Sequence, residues 1–133
     1  INPNLVVDEI YRVLNNKGIV YAQTPFMQCV HEGHYDFTRF SHSGHRWLFK
    51  QFKEISSGAH HSAFSSTLFV FSYVMSVLFR SKLIGILIRV LFSRIIKIFD
   101  ALNDYKSNIV VACRTYFLGR KLDGLITKIF KFR

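Results

Sequence analysis

Residues 6–26 read "VVDEIYRVLNNKGIVYAQTPF", and the change of period along this stretch decides the fold class. Leu5, Val6, Ile10, Val13 and Leu14 recur at helical spacing, while Asp8, Glu9 and Arg12 fill the other face. "NNKG" then supplies a stop, with Gly18 at the C-terminal end of the helix. "GIVYAQTPF" follows at once. This short apolar run, rich in strand formers and ended by Pro25, predicts a buried strand entered from the helix by a tight turn. Helix, glycine turn and buried strand make half of a βαβ unit, which places the chain in the α/β class.

Downstream, the composition turns polar from Met27 to Ser43, with Gly33, Gly44 and clustered histidines. The spacing predicts a long loop at the carboxyl end of that strand, and loops of this length in compact domains usually carry function. The wider stretch "PFMQCVHEGHYDFTRFSHSGHRWLF", residues 25–49, holds two His-x-x-His pairs, His31/His34 and His42/His45, beside Glu32, Asp36 and Arg39. Ser43 is placed to cap a short helix carrying Trp47, Leu48 and Phe52. "FKEISSG" then reads as a second strand.

Residues 62–104 differ in character. "SAFSSTLFVFSYVMSVLF" has no charge, and "RSKLIGILIRVLFSRIIKIFD" mixes aliphatic residues with Arg80, Lys82, Arg89, Arg94 and Lys97. Two helices are the simplest reading. The first is about the minimum length of a membrane span, diluted by Ser and Thr; the second supports a basic amphipathic surface. "NIVVACRTYFLGRK" reads as a long strand, and "LITKIFKFR" as a short basic amphipathic tail.

A chain of 133 residues suits one domain, and 50% hydrophobic with 16% aromatic residues argues for a real core. The net charge of +10 suits nucleic acid, an anionic membrane surface or an acidic partner, and does not choose among them. Cys29 and Cys113 stand far apart without C-x-x-C company, so neither a zinc knuckle nor a disulfide framework is indicated and a reducing, cytoplasmic setting is the default. The opening "INPNLVVDEI" carries no signal-peptide pattern and reads like a start in mid-domain.

At "VVDEIYRVLNNKGIVYAQTPF" the sequence resembles the class I S-adenosylmethionine-dependent methyltransferases, just after their fourth strand. There a helix with an apolar-Glu-apolar-x-Arg-Val-Leu-Lys-Pro-Gly-Gly pattern feeds the fifth strand. Glu9, Arg12, Val13, Leu14 and Gly18 are the counterparts, with Asn15–Asn16 and Lys17 departing at the turn. Residues 25–49 are similar to the substrate-side loop of one branch of that family, and "TYFLGRK" looks like its last strand.

The resemblance implies the C-terminal part of a doubly wound Rossmann-like sheet with an inserted helical pair: one partial domain over residues 1–133. Residues 1–61 supply core and loop, 62–104 the insertion, 105–121 the last strand and 122–133 the tail. It implies S-adenosylmethionine as cofactor, methyl transfer as activity, and a small-molecule, lipid or glycan acceptor. His31 and Asp36 are the implied catalytic candidates, and Pro25, Phe26, His31, Tyr35, Arg39 and His45 the implied substrate contacts. The family's donor site needs a Gly-rich loop after the first strand and an acidic residue ending the second. No G-x-G-x-G occurs in this chain, so the donor-binding half is expected elsewhere and this chain alone is expected to be inactive.

Blander readings stand beside these. The His-x-x-His pairs offer zinc ligands, but all four would sit in one loop without cysteine. Asp36 and Arg39 equally suit a structural pair ordering the loop, with Tyr35, Phe37 and Phe40 packing it down. His34, His42, His60 and His61 suit the surface, Glu9 and Arg12 an ordinary helix-surface pair, and Trp47 packing. Phe and Leu of residues 64–99 suit core or helix-pair contacts.

Two other classes compete with the enzyme. One is a membrane-surface protein without catalysis, in which residues 62–99 and 125–133 meet an anionic bilayer. The other, a nucleic-acid binder, ranks last because the basic residues are scattered among aliphatic ones instead of interleaved with exposed aromatics. A half-sheet with a raw edge also predicts self-association of this chain alone.

Overall fold

A computed structural model describes residues 2–30, 33–60, 63–102 and 109–122. The expectations for His31, Glu32, His61 and the basic tail "LITKIFKFR" lie outside the described residues. Within them the chain is a mixed α/β protein, with four α-helices and a three-stranded sheet.

Helix α1 spans Pro3–Val13. Asn2 caps it, its Oδ1 accepting from the Asn4 N–H at 3.0 Å, and Pro3 sits in the first turn, where no N–H is needed. The buried stripe is Val7, at 3% exposure, with Ile10, Tyr11 and Leu14 packed partly against the same core. Leu5, Val6 and Val13 point to solvent, contrary to the sequence reading. Val7, Ile10, Tyr11 and Leu14 form an equally regular i, i+3, i+4, i+7 set, and that set faces the aromatic cluster.

The helix stop also differs from expectation. The left-handed backbone falls on Lys17 (φ 63°), whereas Gly18 is needed for space: a Cβ there would meet the Asn15 carbonyl oxygen and the Leu14 Cγ at 2.7 Å. The open carbonyls of α1 are met from far along the chain. Lys121 Nζ donates to the carbonyls of Tyr11 and Leu14 at 2.7 Å each and lies 4.8 Å from the Tyr11 ring centre.

Strands β1 (Ile19–Pro25), β2 (Lys53–Ala59) and β3 (Arg114–Arg120) lie in the order β1-β3-β2. β3 is antiparallel to both neighbours, so β1 and β2 run in the same direction. β3 is shorter than the long strand read from the sequence, because residues 109–111 form a 3₁₀ turn. Val20 faces Gly119, Ala22 faces Phe117, and Thr24 faces Thr115, all on the side covered by α1 and by α2 (His42–Leu48). Phe49, Phe52 and Phe117 fill that side, with Phe49 and Phe117 stacked at 5.2 Å. β1 is therefore buried on one face only: Val20 is buried, while Ile19 and Tyr21 are more than half exposed.

Ser41, not Ser43, caps α2, accepting from the Gly44 N–H at 3.2 Å. Phe52 lies past the end of this helix and is buried, whereas Trp47 is half exposed beneath the Lys50 ammonium, 4.2 Å from its ring centre.

Helices α3 (Ala63–Leu78) and α4 (Lys82–Leu102) form a hairpin that turns at residues 79–81. They pack closely at Gly85, where a Cβ would come 2.0 Å from Ser76 Oγ and 2.7 Å from the Ser72 carbonyl oxygen. The hairpin is fastened to the sheet through Ser66, whose Oγ accepts from the Cys113 N–H at 3.0 Å. Much of its apolar surface is not buried in the described residues: Val74, Val77, Leu78, Phe79, Leu83, Leu87, Val90 and Leu91 are all exposed. The expectation that this region packs as core therefore holds only for its inner line. No helix among the described residues is long and apolar enough to cross a membrane.

Candidate functional site

The site is built where β1 ends. Pairing with the opposite strand continues past Pro25, with the Phe26 N–H donating to the Cys113 carbonyl at 2.8 Å and Met27 to Ala112 at 3.1 Å. The chain then turns away into the loop that leads to α2. Arg39 organises this loop. Its guanidinium donates to both carboxylate oxygens of Asp36, to the carbonyls of Phe26 at 3.0 Å and Cys29 at 3.1 Å, and to the carbonyl of Gln28. The planar fork of Arg suits this multidentate role, which a point-charge Lys does not reproduce. Asp36, by hydrogen bonding, raises the Arg39 pKa further above its ordinary value, so the cation is permanent.

Between β1 and the loop lies a cleft of about 440 Å³, lined by Thr24, Pro25, Tyr35, Asp36, Phe37 and, from β3, Arg114. This volume falls within the ordinary range of small-molecule sites. A short 3₁₀ turn at Gly33–Tyr35, entered through Gly33 at φ 55°, presents Tyr35 over the cleft. Tyr35 and Phe37 are exposed and meet edge-on at 6.2 Å, so they flank the opening instead of packing the loop down. An apolar groove of similar size runs along α3, bounded by Met27, Val70, Val74 and Val111.

Behind the cleft sits His45, fully buried. Its ring lies among Phe40, Phe49 and Phe117, at centroid distances of 6.3, 5.3 and 6.4 Å. Nδ1 lies 3.2 Å from Thr115 Oγ1 and 3.5 Å from Thr24 Oγ1, and the two hydroxyls are 3.3 Å apart. Nε2 is buried with no hydrogen-bond partner among the described residues. Burial, helped by the charge of nearby His42, lowers the His45 pKa to about 4, so the imidazole is neutral at physiological pH.

His42, one turn earlier on α2, looks the other way. Its Nε2 lies 2.9 Å from Ser57 Oγ, which donates to Glu54 Oε1 at 2.6 Å, and Glu54 Oε2 accepts from Arg46 at 2.8 Å. The expected exposed His42 is thus a half-buried member of a polar chain joining α2 to β2, with its pKa lowered chiefly by burial. His34 and His60 are exposed, as read. Glu9 and Arg12 form the expected surface pair at 2.6–2.8 Å.

Of the residues singled out by sequence, Pro25, Tyr35 and Asp36 line the cleft. Phe26 and Arg39 lie behind the wall, through the guanidinium contact to the Phe26 carbonyl. His45 is displaced from substrate contact to the buried layer beneath Thr24, because its helix faces the aromatic core. Asp36 has both oxygens taken by Arg39, which is the structural pairing and not a free base. Among the described residues no group of three or more His, Cys, Asp or Glu is arranged to hold a metal ion.

Sequence reasoning passed over Thr24, Thr115 and Arg114. Thr24 was recoverable from the strand alternation Val20, Ala22, Thr24. Thr115 and Arg114 arrive by a pairing some ninety positions away in sequence, as in Thr24 opposite Thr115, which no local signal marks.

No protein-family model, no curated protein and no solved structure matches this chain.

Proposed function

We propose that this chain is the acceptor-side, C-terminal part of a class I S-adenosylmethionine-dependent methyltransferase domain. The observation that carries the reading is the cleft at the carboxyl end of β1, lined by Thr24 and Pro25, by Tyr35, Asp36 and Phe37 of the segment before α2, and by Arg114. In open α/β sheets, ligands bind outside the carboxyl ends of the strands. Two like-directed strands joined through α2, with a reversed strand between them, are compatible with the end of a doubly wound sheet, since such sheets often carry an antiparallel member.

In this reading the cleft holds a small polar acceptor. Tyr35 and Phe37 bracket it, Arg114 offers a cation, and Thr24 offers a hydroxyl held from behind by His45. The donor does not fit the residues present. The chain has no Gly-rich loop, and the one carboxylate lining the cleft among the described residues is paired with Arg39. We therefore derive no step through S-adenosylmethionine from these residues; the donor pocket belongs to other polypeptide.

The test is direct. The gene product isolated from its source cells is weighed by intact-mass spectrometry against 15.5 kDa and titrated calorimetrically with S-adenosylmethionine. A longer product that binds the methyl donor is expected. A product that neither binds it nor carries a Gly-rich loop ahead of these residues overturns the reading.

A further inference from the structure

The hairpin α3–α4 carries more exposed apolar surface than the sheet uses, and its charge is of one sign. From residue 55 to residue 99 the sequence has no Asp or Glu, while Arg80, Lys82, Arg89, Arg94 and Lys97 fall within it. The apolar side chains are not scattered. Leu78, Phe79 and Leu83 surround the turn at 60–70% exposure, and Leu87, Val90 and Leu91 continue along α4 at 65–74%. All five cations are exposed, and the Arg89 guanidinium lies 5.8 Å from the Phe69 ring centre. Arg80, at φ 49°, lies in the turn between exposed Phe79 and exposed Lys82.

Contiguous exposed apolar surface of this kind marks an interaction site. The occupant must offer negative charge directly above an apolar layer. A second copy of this chain would bring like charge to the same patch, and a nucleic acid offers phosphate without an apolar layer. An anionic bilayer offers both, and it needs no shape complementarity. Neither helix is long and apolar enough to cross, so the contact is with one leaflet.

We propose that the turn of the α3–α4 hairpin docks on an anionic lipid surface, with Leu78, Phe79 and Leu83 entering the acyl boundary and Arg80, Lys82 and Arg89 meeting the headgroups. The proposal is independent of the methyltransferase reading, because none of these residues lines the cleft.

The test is co-sedimentation of the full chain with sucrose-loaded vesicles of phosphatidylcholine alone or mixed with phosphatidylserine. Binding to the mixed vesicles, released by salt, is expected. Each cation near such a surface is worth about fivefold in partitioning, so Lys82→Ser with Arg89→Ser should weaken binding by roughly twentyfold or more. Phe79→Trp in a Trp47→Phe background should be quenched by brominated lipids, which a purely electrostatic contact would not produce. Circular dichroism of each variant is the check that its helices are retained.

Equal binding to neutral and mixed vesicles overturns the proposal, as does binding without quenching. So does a chain that ignores both vesicles and forms a dimer broken by Leu83→Ser, which would assign the patch to a second copy.

Discussion

His45 shows how one side chain can be singled out in sequence while its surroundings stay hidden. The sequence marked it as one of four clustered histidines, but its neighbours Phe49 and Phe117 and its partners Thr24 and Thr115 are set by tertiary packing. Its folded pKa is lowered from 6.5 to about 4, so the neutral form is the one the fold accepts. Its contribution to stability is therefore fully present above pH 6.5 and is lost as pH falls through 4, while the unfolded chain takes up the proton. A loss on the order of 2–3 kcal/mol across that window is expected from urea denaturation at successive pH values. His45→Gln should flatten the profile between pH 7 and 4 relative to the parent. Arg39 is the converse case: sequence offered substrate contact or structural pairing, and the geometry assigns the pairing. Arg39→Lys should loosen the loop, with backbone amides of residues 26–41 exchanging markedly faster in hydrogen-exchange mass spectrometry. The global cost should be about 2–3 kcal/mol, because several carbonyls and Asp36 lose charge-assisted donors at once.

Among the elements, both predicted strands near the loop, the first helix and the helical pair were legible, because each period of 2 or 3.6 is local. What was not legible is which of two regular stripes on α1 would be buried. Leu5, Val6 and Val13 compete on equal terms with Val7 and Tyr11 until the aromatic cluster is in place. The stop of α1 at "NNKG" was legible, but the partner of its open carbonyls was not, since Lys121 reaches them from more than a hundred residues along the chain. Lys121→Met should keep the stem and lose the donor, fraying the last turn of α1 at a cost of about 1 kcal/mol by thermal melting. Gly85 tests the hairpin. In an exposed helix Gly→Ala gains roughly 1 kcal/mol, but here the added methyl meets Ser76 Oγ and the Ser72 carbonyl oxygen. Since the carbonyl is backbone and cannot swing aside, Gly85→Ala should destabilise the hairpin by about 1–3 kcal/mol, read as a lower melting temperature by circular dichroism.

Across the whole molecule, the three strands join only through β3, which pairs with β1 on one side and β2 on the other. The sequence identified "TYFLGRK" as a strand but not as the central one, because strand order is decided by contacts across the chain and not by any local period. A long loop at the carboxyl end of β1 was read from the sequence, while the contribution of Arg114 to the cleft beside it was not, for the same reason. This arrangement also sets the order of events when the protein is made. As the chain leaves the ribosome, β1 and β2 emerge before the strand that lies between them, followed by a hairpin rich in apolar side chains. Among the described strands, β3 at residues 114–120 is the partner of both, and it appears some ninety positions after β1. Joining β1 to β2 therefore waits on a long-range closure, which slows folding and leaves strand edges open to unintended pairing until β3 is inserted.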